Sequence, residues 1–220
     1  MIKVENTNIY NIYPAIKSIR NALKSWDRMD SNYVEYNILR CRKYEAYNHC
    51  LIGPKDMELA KRLIFRGGDE RKFLRTIHVN ADITTTRAHI QELSTYKIGT
   101  TMNSCSTMHS ILNKDLTYDD FEHTIHSEVL SSLNRMIYKV RDMKENKDPL
   151  YQGVFSELKH MLPEGYLIMF NFDTNYEQLL SMYHKRKNHF FLDWIPINKW
   201  CESLPYFMEF YSAFNLNKTN

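Results

Sequence analysis

The positions of the six glycines constrain the fold of this 220-residue chain more than any other sequence feature. They stand at positions 53, 67, 68, 99, 153 and 165. No G-x-G-x-x-G and no G-x-x-x-x-G-K-[ST] motif can be built from them, which excludes a Rossmann dinucleotide site and a P-loop. The chain also has only six prolines, and this scarcity of turn-forming residues disfavours low-complexity linkers and barrels of many short strands.

Composition and charge indicate a globular protein without a nucleic-acid partner. Hydrophobic residues make up 43% of the chain and charged residues 25%, which is close to the average for folded proteins. The net charge of +3 is too small to indicate binding of nucleic acid, so we expect none. Because no stretch rich in glycine, serine or proline divides the chain, we predict a single domain spanning residues 1–220.

Hydropathy and cysteine spacing favour a cytoplasmic location. No run of about 18 apolar residues is present, and the N-terminal MIKVENTNIY lacks a signal-peptide core, so we expect no membrane association. The four cysteines, Cys41, Cys50, Cys105 and Cys201, contain no C-x-x-C pair and no zinc-like spacing. We therefore predict a cytoplasmic protein with reduced thiols and no metal.

Hydrophobic periodicity predicts an α+β fold dominated by helices. Apolar residues recur at three- and four-residue steps in the predicted helices and alternate in the predicted strands. The helices are predicted over 54–66 and 119–144, and the strands over 74–83 and 167–172. A further helix is expected after the second strand, capped by Asp173 or Thr174 and ending near Arg186.

Two polar segments carry residue types suited to binding an anion or a nucleotide. Residues 94–109 are rich in serine and threonine and include Lys97 and His109, which donate hydrogen bonds to phosphate readily. Residues 184–189 (HKRKNH) place three consecutive cations at the end of a predicted helix, among them Arg186 with its planar guanidinium. Composition alone favours the ordinary interpretations, a polar surface loop and a helix C-terminus balanced by cations.

A histidine pair and a cysteine are the remaining chemical candidates. His123 and His126 lie three residues apart and would share one side of a helix, but no third metal ligand stands out. Cys105 has no histidine and carboxylate partners that the sequence can assign. We therefore base no function on either.

The stretch LPEGYLIMFNFDTNYEQLLSMYHKRKNHFFLDW is similar to the end of the flavin-dependent thymidylate synthases. The order of the segments over residues 55–205 resembles that family as well. There, a Leu-Pro loop and a strand lead to a helix of the form N-x-x-x-L-x-N-x-x-x-L-R and then to a segment containing A-Q-W. Asn175, Leu179 and Arg186 match this pattern without a gap, and Trp194 lies near its tryptophan.

The upstream signature of the family is matched less well. The family carries R-H-R-x7-S with an embedded N-E-x-S, and TYKIGTTMNSCSTMH stands at that place. Asn103 and Ser106 match the Asn and Ser of N-E-x-S, but Ser104 replaces the Glu and no R-H-R triplet is present. Tyr96 and Lys97 cannot be paired one-to-one with the triplet, because the spacing before Asn103 implies inserted residues.

The resemblance implies a fold, a reaction and a set of cofactors. The fold is a helix-dominated α+β domain with a central, mostly antiparallel sheet. The reaction is the reductive methylation of dUMP to dTMP, with FAD as the flavin, methylenetetrahydrofolate as the carbon donor and NADPH as the reductant. The family's site forms between subunits of a homotetramer. The aromatic-rich C-terminal third also favours a homotetramer, because it offers more apolar surface than one small domain is expected to bury.

The resemblance also implies roles for individual residues. Arg186 is the expected catalytic residue, which donates two hydrogen bonds to the base of dUMP or a related pyrimidine nucleotide. The residues expected to bind substrate are Arg186, Ser106, Lys97 and Asn103, and those expected to bind cofactor are Asn175, Ser181, Tyr96 and His109. Two alternatives stay open: a flavin-dependent pyrimidine nucleotide hydroxymethylase, and a non-catalytic nucleotide-binding homologue that lost the flavin site.

Overall fold

Helices and strands are interspersed along the described part of the chain. In this computed structural model that part is residues 1–33 and 50–219, with side chains described as far as residue 216. The strands are β1 (Lys3–Tyr10), β2 (Asn32–Tyr33), β3 (Cys50–Leu51), β4 (His78–Thr86), β5 (Thr101–Ser104) and β6 (Leu167–Asn175). The helices are α1 (Ile12–Ser18), α2 (Pro54–Arg66), α3 (Arg87–Leu93), α4 (Thr107–Ser110), α5 (Ser127–Glu145), α6 (Tyr151–Met161), α7 (Tyr176–Arg186), α8 (Trp194–Ser203) and α9 (Phe207–Thr219). Cys41 lies outside the described residues.

The central four-stranded sheet is antiparallel and has the strand order β1-β4-β6-β5. In β4, alternate residues Val79, Ala81 and Ile83 are buried, since successive side chains of a strand point to opposite faces. Phe170 and Phe172 repeat this alternation in β6. Strands β2 and β3 form a separate antiparallel pair. The predicted helix-dominated α+β fold with a mostly antiparallel sheet is therefore confirmed.

The chain divides into two compact units, and the division falls inside strands β1, β4, β5 and β6. The first unit comprises Met1–Lys3, Ile83–Thr95 and Asn103–Phe170. The second unit comprises Val4–Asp82, Tyr96–Met102 and Asn171–Asn220. The single-domain organisation stays a prediction.

Helices α5 and α6 pack against each other in the core of the first unit. The buried residues of α5 recur at three- and four-residue steps, as the sequence predicted. They include Leu130, Leu133, Ile137 and Val140, and α6 adds Phe155 and Leu158. The amphipathic pattern therefore identified the buried face of the long helix correctly.

The start of α5 differs from the prediction, because the helix begins at Ser127 rather than at residue 119. A short 3-10 turn ends at Asp120, whose carboxylate accepts a hydrogen bond from the backbone N–H three residues earlier at 2.8 Å. Phe121 then adopts an extended backbone and forms an isolated bridge with Tyr166. Phe121 thus reaches the core, as its place in the apolar pattern implied, but outside the helix.

Helices α2, α7, α8 and α9 enclose a cluster of aromatic rings in the second unit. Tyr176 packs edge to face on Phe207 and Phe210, with ring centroids 5.9 and 6.2 Å apart. Tyr183 packs on Phe207 in the same manner at 5.6 Å. All four rings are buried. Much of the aromatic-rich C-terminal third therefore lies inside the second unit rather than on its surface.

A 3-10 helix, Gly68–Thr76, precedes β4, so this strand begins later than predicted, at His78. Arg71 and Arg75 account for the difference, because both donate to the carboxylate of Glu177 in the first turn of α7. Four residues of 3-10 helix span about 8 Å, against roughly 13 Å in a strand. The tighter backbone brings both guanidinium groups within reach of one carboxylate.

A buried ion pair ties the N-terminal segment of the second unit to the start of α2. Asp56 has no exposed surface, and Arg20 is 6% exposed. Arg20 Nε donates to Asp56 Oδ1 at 2.6 Å, and Ser31 donates to Oδ2 from its backbone N–H at 2.9 Å and from its hydroxyl at 2.6 Å. Burial alone would raise the pKa of the Asp56 carboxyl, but the hydrogen bonds from Ser31 and Arg20 outweigh burial and hold this pKa below its ordinary value.

Candidate functional site

Helix α7 carries Arg186 as its last residue, where the sequence predicted the helix to end. The N-cap at the other end is Asn175, whose Oδ1 accepts a hydrogen bond from the Gln178 backbone N–H at 3.0 Å. The predicted caps, Asp173 and Thr174, are wrong by one or two residues, because strand β6 continues through both of them. The cap fixes where α7 begins.

The guanidinium of Arg186 is anchored by contacts at two of its three nitrogens. Its Nε donates to the hydroxyl of Tyr96 at 2.9 Å. One terminal nitrogen, Nη1, lies 2.6 Å from Nε2 of His189. These contacts join a helix end to a residue 90 positions earlier in the chain, and they fix the direction in which the guanidinium points.

Two aromatic rings lie against the same guanidinium. The Arg186 Cζ atom is 5.0 Å from the centroid of the Trp194 ring and 5.8 Å from that of Tyr96. The two rings meet edge to face, with centroids 6.0 Å apart, and both residues are buried. Cation–π attraction and the hydrogen bonds together hold the guanidinium in one plane. A guanidinium held in this way can donate paired hydrogen bonds to a planar carbonyl or anionic group.

The imidazole of His189 faces a donor at each ring nitrogen. Nε2 faces Nη1 of Arg186, and Nδ1 lies 3.2 Å from the backbone nitrogen of Phe191. A neutral imidazole has one acceptor nitrogen, so the tautomer decides which of these two donors it accepts. Sequence reasoning missed this residue as an Arg186 contact, although it belongs to the HKRKNH segment.

The segment Tyr96–Met102 is fastened to the start of α7. The Asn175 Nδ2 donates to the carbonyl of Gly99 at 3.4 Å, and the hydroxyls of Thr100 and Thr174 are 2.8 Å apart. Gly99 has a φ of 62°, and a Cβ at this position would lie 2.6 Å from the Asn175 Nδ2, so no other residue fits without strain. The structure therefore gives Asn175 a role within the fold that the sequence had not assigned.

The second unit thus contains five of the predicted site residues. Tyr96 and Arg186 are in direct contact, and Asn175 caps the same helix that Arg186 ends. Ser181 is half-buried on α7, and Lys97 is exposed next to Tyr96. The exposed ammonium and the anchored guanidinium are the two cations of this predicted set.

The first unit contains the other three predicted site residues, Asn103, Ser106 and His109. All three are exposed. Asn103 lies in β5, and Ser106 directly precedes the single-turn helix α4, which contains His109. The backbone N–H of Cys105 donates to the Met169 carbonyl at 2.8 Å, which fixes the chain beside Ser106. The segment 94–109 is therefore not a plain surface loop, because it includes a strand and a helical turn.

Two of the three described cysteines are poor candidates for a nucleophile. Cys50 and Cys201 are buried, and burial raises the pKa of both thiols, that of Cys50 to about 11. A thiol with a raised pKa is a poor nucleophile, since the thiolate is the reactive form. Cys105 is exposed. Among residues 1–33 and 50–219, no group of three or more His, Cys, Asp and Glu side chains is placed to hold a metal ion.

Comparison with known proteins shows what the fold is similar to. No family model and no curated protein sequence matches the chain. A crystal structure of thymidylate synthase X from Helicobacter pylori with FAD and dUMP matches with a TM-score of 0.66 and 16% identity, over 97% of this chain and 99% of that one. A second structure of the H. pylori enzyme, also with FAD and dUMP, matches with a TM-score of 0.64 and 17% identity, over 99% and 98%. The resemblance seen in the sequence is thereby confirmed at the level of the fold.

No helix in the described part of the chain is both long enough and apolar enough to cross a membrane.

Proposed function

We propose that this protein is an FAD-dependent enzyme of the thymidylate synthase type, which methylates dUMP to dTMP with methylenetetrahydrofolate and NADPH. The observation that carries the proposal is the anchored guanidinium of Arg186 at the end of α7, on a fold shared with thymidylate synthase X over nearly the whole chain. If Arg186 only balanced the helix dipole and residues 94–109 were only a polar surface loop, no buried tyrosine and tryptophan would be needed around the guanidinium.

Arg186 is proposed to bind the pyrimidine and polarise it. Its donors would hydrogen-bond a ring carbonyl and a ring nitrogen, and its positive charge would favour the electron density that the ring gains during the reaction. The rings of Tyr96 and Trp194 would hold the guanidinium ready, so that little reorganisation is needed when the substrate arrives. Lys97, exposed in the same unit, is proposed to bind the nucleotide phosphate, and the exposed Ser106 and Asn103 are proposed to bind the nucleotide from another subunit.

The chemistry of the predicted cofactor residues fits a flavin. An isoalloxazine ring presents neutral carbonyl and ring-nitrogen groups, and the amide, hydroxyl and imidazole side chains of this set can pair with them. The set consists of Asn175, Ser181, Tyr96 and His109. When bound, a reduced flavin supplies the hydride that the pyrimidine accepts. Tyr96, Asn175 and Ser181, which all lie in the second unit, would orient the ring.

One observation favours a non-catalytic nucleotide-binding homologue as a second candidate. The side chains of Asn175 and Tyr96 are already hydrogen-bonded within the chain, to Gln178, Gly99 and Arg186. The sequence also lacks the R-H-R triplet that helps hold the flavin in the family it resembles. A protein that kept Arg186 and lost the flavin would bind pyrimidine nucleotides without turning them over.

Flavin binding separates the two candidates. We expect purified protein, after incubation with FAD and desalting, to retain a yellow chromophore and to form dTMP from dUMP, methylenetetrahydrofolate and NADPH. The measurement is the visible spectrum, followed by a turnover assay. Absence of retained flavin and of FAD binding by calorimetry, with dUMP binding preserved, would leave only the nucleotide-binding homologue.

The protein is also expected to be a homotetramer, with groups such as Ser106 and Arg186 contributed by different subunits. Phe190 is 97% exposed and directly follows His189, which contacts Arg186. Leu192 and Ile195 are exposed nearby in the sequence. Light scattering is expected to give four times the chain mass of 26.4 kDa. A mass of one chain across a broad concentration range would contradict the shared site.

A further inference from the structure

Helix α8 holds Arg186 at two points. Trp194 and Asn198 are four residues apart on α8 and therefore share one face of the helix. The Trp194 ring lies against the guanidinium, with the Arg186 Cζ atom 5.0 Å from the ring centroid. The Asn198 Nδ2 donates to the backbone carbonyl of Arg186 at 2.9 Å. One helix face thus fixes both the backbone and the side chain of the same residue.

Stability alone does not explain why position 198 carries an amide side chain. Asn198 is 8% exposed, and within the part of the chain that the structure describes, its Oδ1 is buried without a hydrogen-bond partner. A buried carbonyl oxygen without a partner costs stability. A leucine has the same branching and carries no polar atom, so it would avoid this cost. What leucine lacks is the N–H that binds the last carbonyl of α7.

We propose that Asn198 is a positioning residue for Arg186. By holding the carbonyl of residue 186, it sets the point from which the side chain extends, so that the guanidinium reaches Trp194 and the Tyr96 hydroxyl in one orientation. The ligand of this arrangement, a pyrimidine nucleotide, rests on the proposed function. The positioning itself is a property of the chain and can be measured without any ligand.

The test compares Asn198→Leu and Asn198→Asp with Lys199→Leu, a control at the neighbouring exposed position of α8. We expect Asn198→Leu to melt at or above the wild-type temperature, because the unpaired Oδ1 is removed. We expect its affinity for dUMP to fall at least tenfold by calorimetry. Asn198→Asp keeps the shape but cannot donate from that position, so the same loss is expected. Lys199→Leu is expected to bind like the wild type.

A ligand-free measurement separates this proposal from the proposed function. The Nε–H signal of Arg186, assigned by its disappearance in Arg186→Lys, is expected to exchange with water at least tenfold faster in both Asn198 variants than in the wild type. If the wild-type protein binds no pyrimidine nucleotide, the proposed function fails. The exchange rate of the Arg186 Nε–H then decides by itself whether Asn198 positions Arg186. An unchanged exchange rate, unchanged dUMP affinity, or a loss of affinity that only follows the unfolded fraction would overturn the positioning role.

Discussion

Replacing Arg186 with alanine is expected to lower the turnover of dUMP a hundred- to a thousandfold. The reason is the loss of the donor that we propose faces a ring gaining negative charge, which typically costs about 3–4 kcal/mol of transition-state stabilisation. The affinity for dUMP is expected to fall as well, because the same hydrogen bonds hold the ground state. Steady-state kinetics and calorimetry with dUMP measure the two effects separately.

The contacts of Arg186 show that its replacement also affects stability. Alanine removes the cation–π contact with Trp194, worth about 0.5–2 kcal/mol, and leaves the Tyr96 hydroxyl without its Arg186 donor. Arg186→Lys is therefore the better matched variant. It keeps a positive charge near Trp194 but loses the planar fork, so turnover is expected to fall strongly while the melting temperature changes less.

The neighbouring cations are the controls for the Arg186 prediction. Lys185 is exposed, and Lys185→Ala is expected to change neither turnover nor melting temperature appreciably. Lys187 lies over the Tyr211 ring, with its Nζ 5.2 Å from the centroid, so Lys187→Ala is a less neutral control. If all three positions merely balance the helix dipole, each alanine variant would lose a similar ~0.3–1 kcal/mol of stability and nothing in binding. Such equal, small effects would remove Arg186 from the reaction.

The parts of the fold that sequence predicted well are those with local signals. Helix α2 has Pro54 at its first position and ends at Arg66, before Gly67. Gly67 has a φ of 72° and a ψ of −162°, a conformation essentially confined to glycine. The glycine itself therefore marks the end of the helix in the sequence. Helix α7 likewise ends at Arg186, as predicted.

The boundaries that sequence missed depend on partners far along the chain. Strand β4 starts late because Arg71 and Arg75 lie in a 3-10 helix and donate hydrogen bonds to Glu177, about a hundred residues away. Helix α5 starts late because the chain at Phe121 pairs with Tyr166 instead of continuing as a helix. An apolar residue at a helical spacing indicates that its side chain is buried, but it does not show whether the backbone there is helical or extended.

The same distinction applies to the candidate site. Arg186 was found from a local pattern, the spacing from Asn175 along one helix. Its anchor Tyr96 lies 90 residues upstream, and no local pattern links the two. The resemblance implies only that Tyr96 binds cofactor, and the structure adds a hydrogen bond from Arg186 to its hydroxyl. Asn198 was missed for the same reason, since a donor to a helix-terminal carbonyl has no sequence signature.

Replacing Asp56 with alanine is expected to destabilise the protein by about 3–5 kcal/mol, the cost of removing one partner from a buried ion pair. Arg20, 6% exposed, would be left as a buried charge, and the N–H and hydroxyl of Ser31 would lose their acceptor. The exposed pair between Glu58 and Arg62 on the same helix is the matched control, with a separation of 2.8 Å. Glu58→Ala is expected to cost no more than about 0.5 kcal/mol. Urea unfolding of both variants measures the difference, and similar losses would show that burial of the Asp56 pair is unimportant.

The Asp56 pair also predicts a dependence of stability on pH. Because the folded-state pKa of Asp56 lies below its ordinary value, the unfolded chain binds the proton more tightly. The stability that Asp56 contributes is therefore complete above the unfolded-state pKa of about 3.9, and it is lost as the pH falls through the lower, folded-state pKa. The Asp56→Asn variant cannot gain or lose this proton. Its free energy of unfolding is thus expected to fall less steeply than that of the wild type as the pH is lowered from about 5. Parallel curves for the two proteins would mean that Asp56 does not stabilise the fold through its charge.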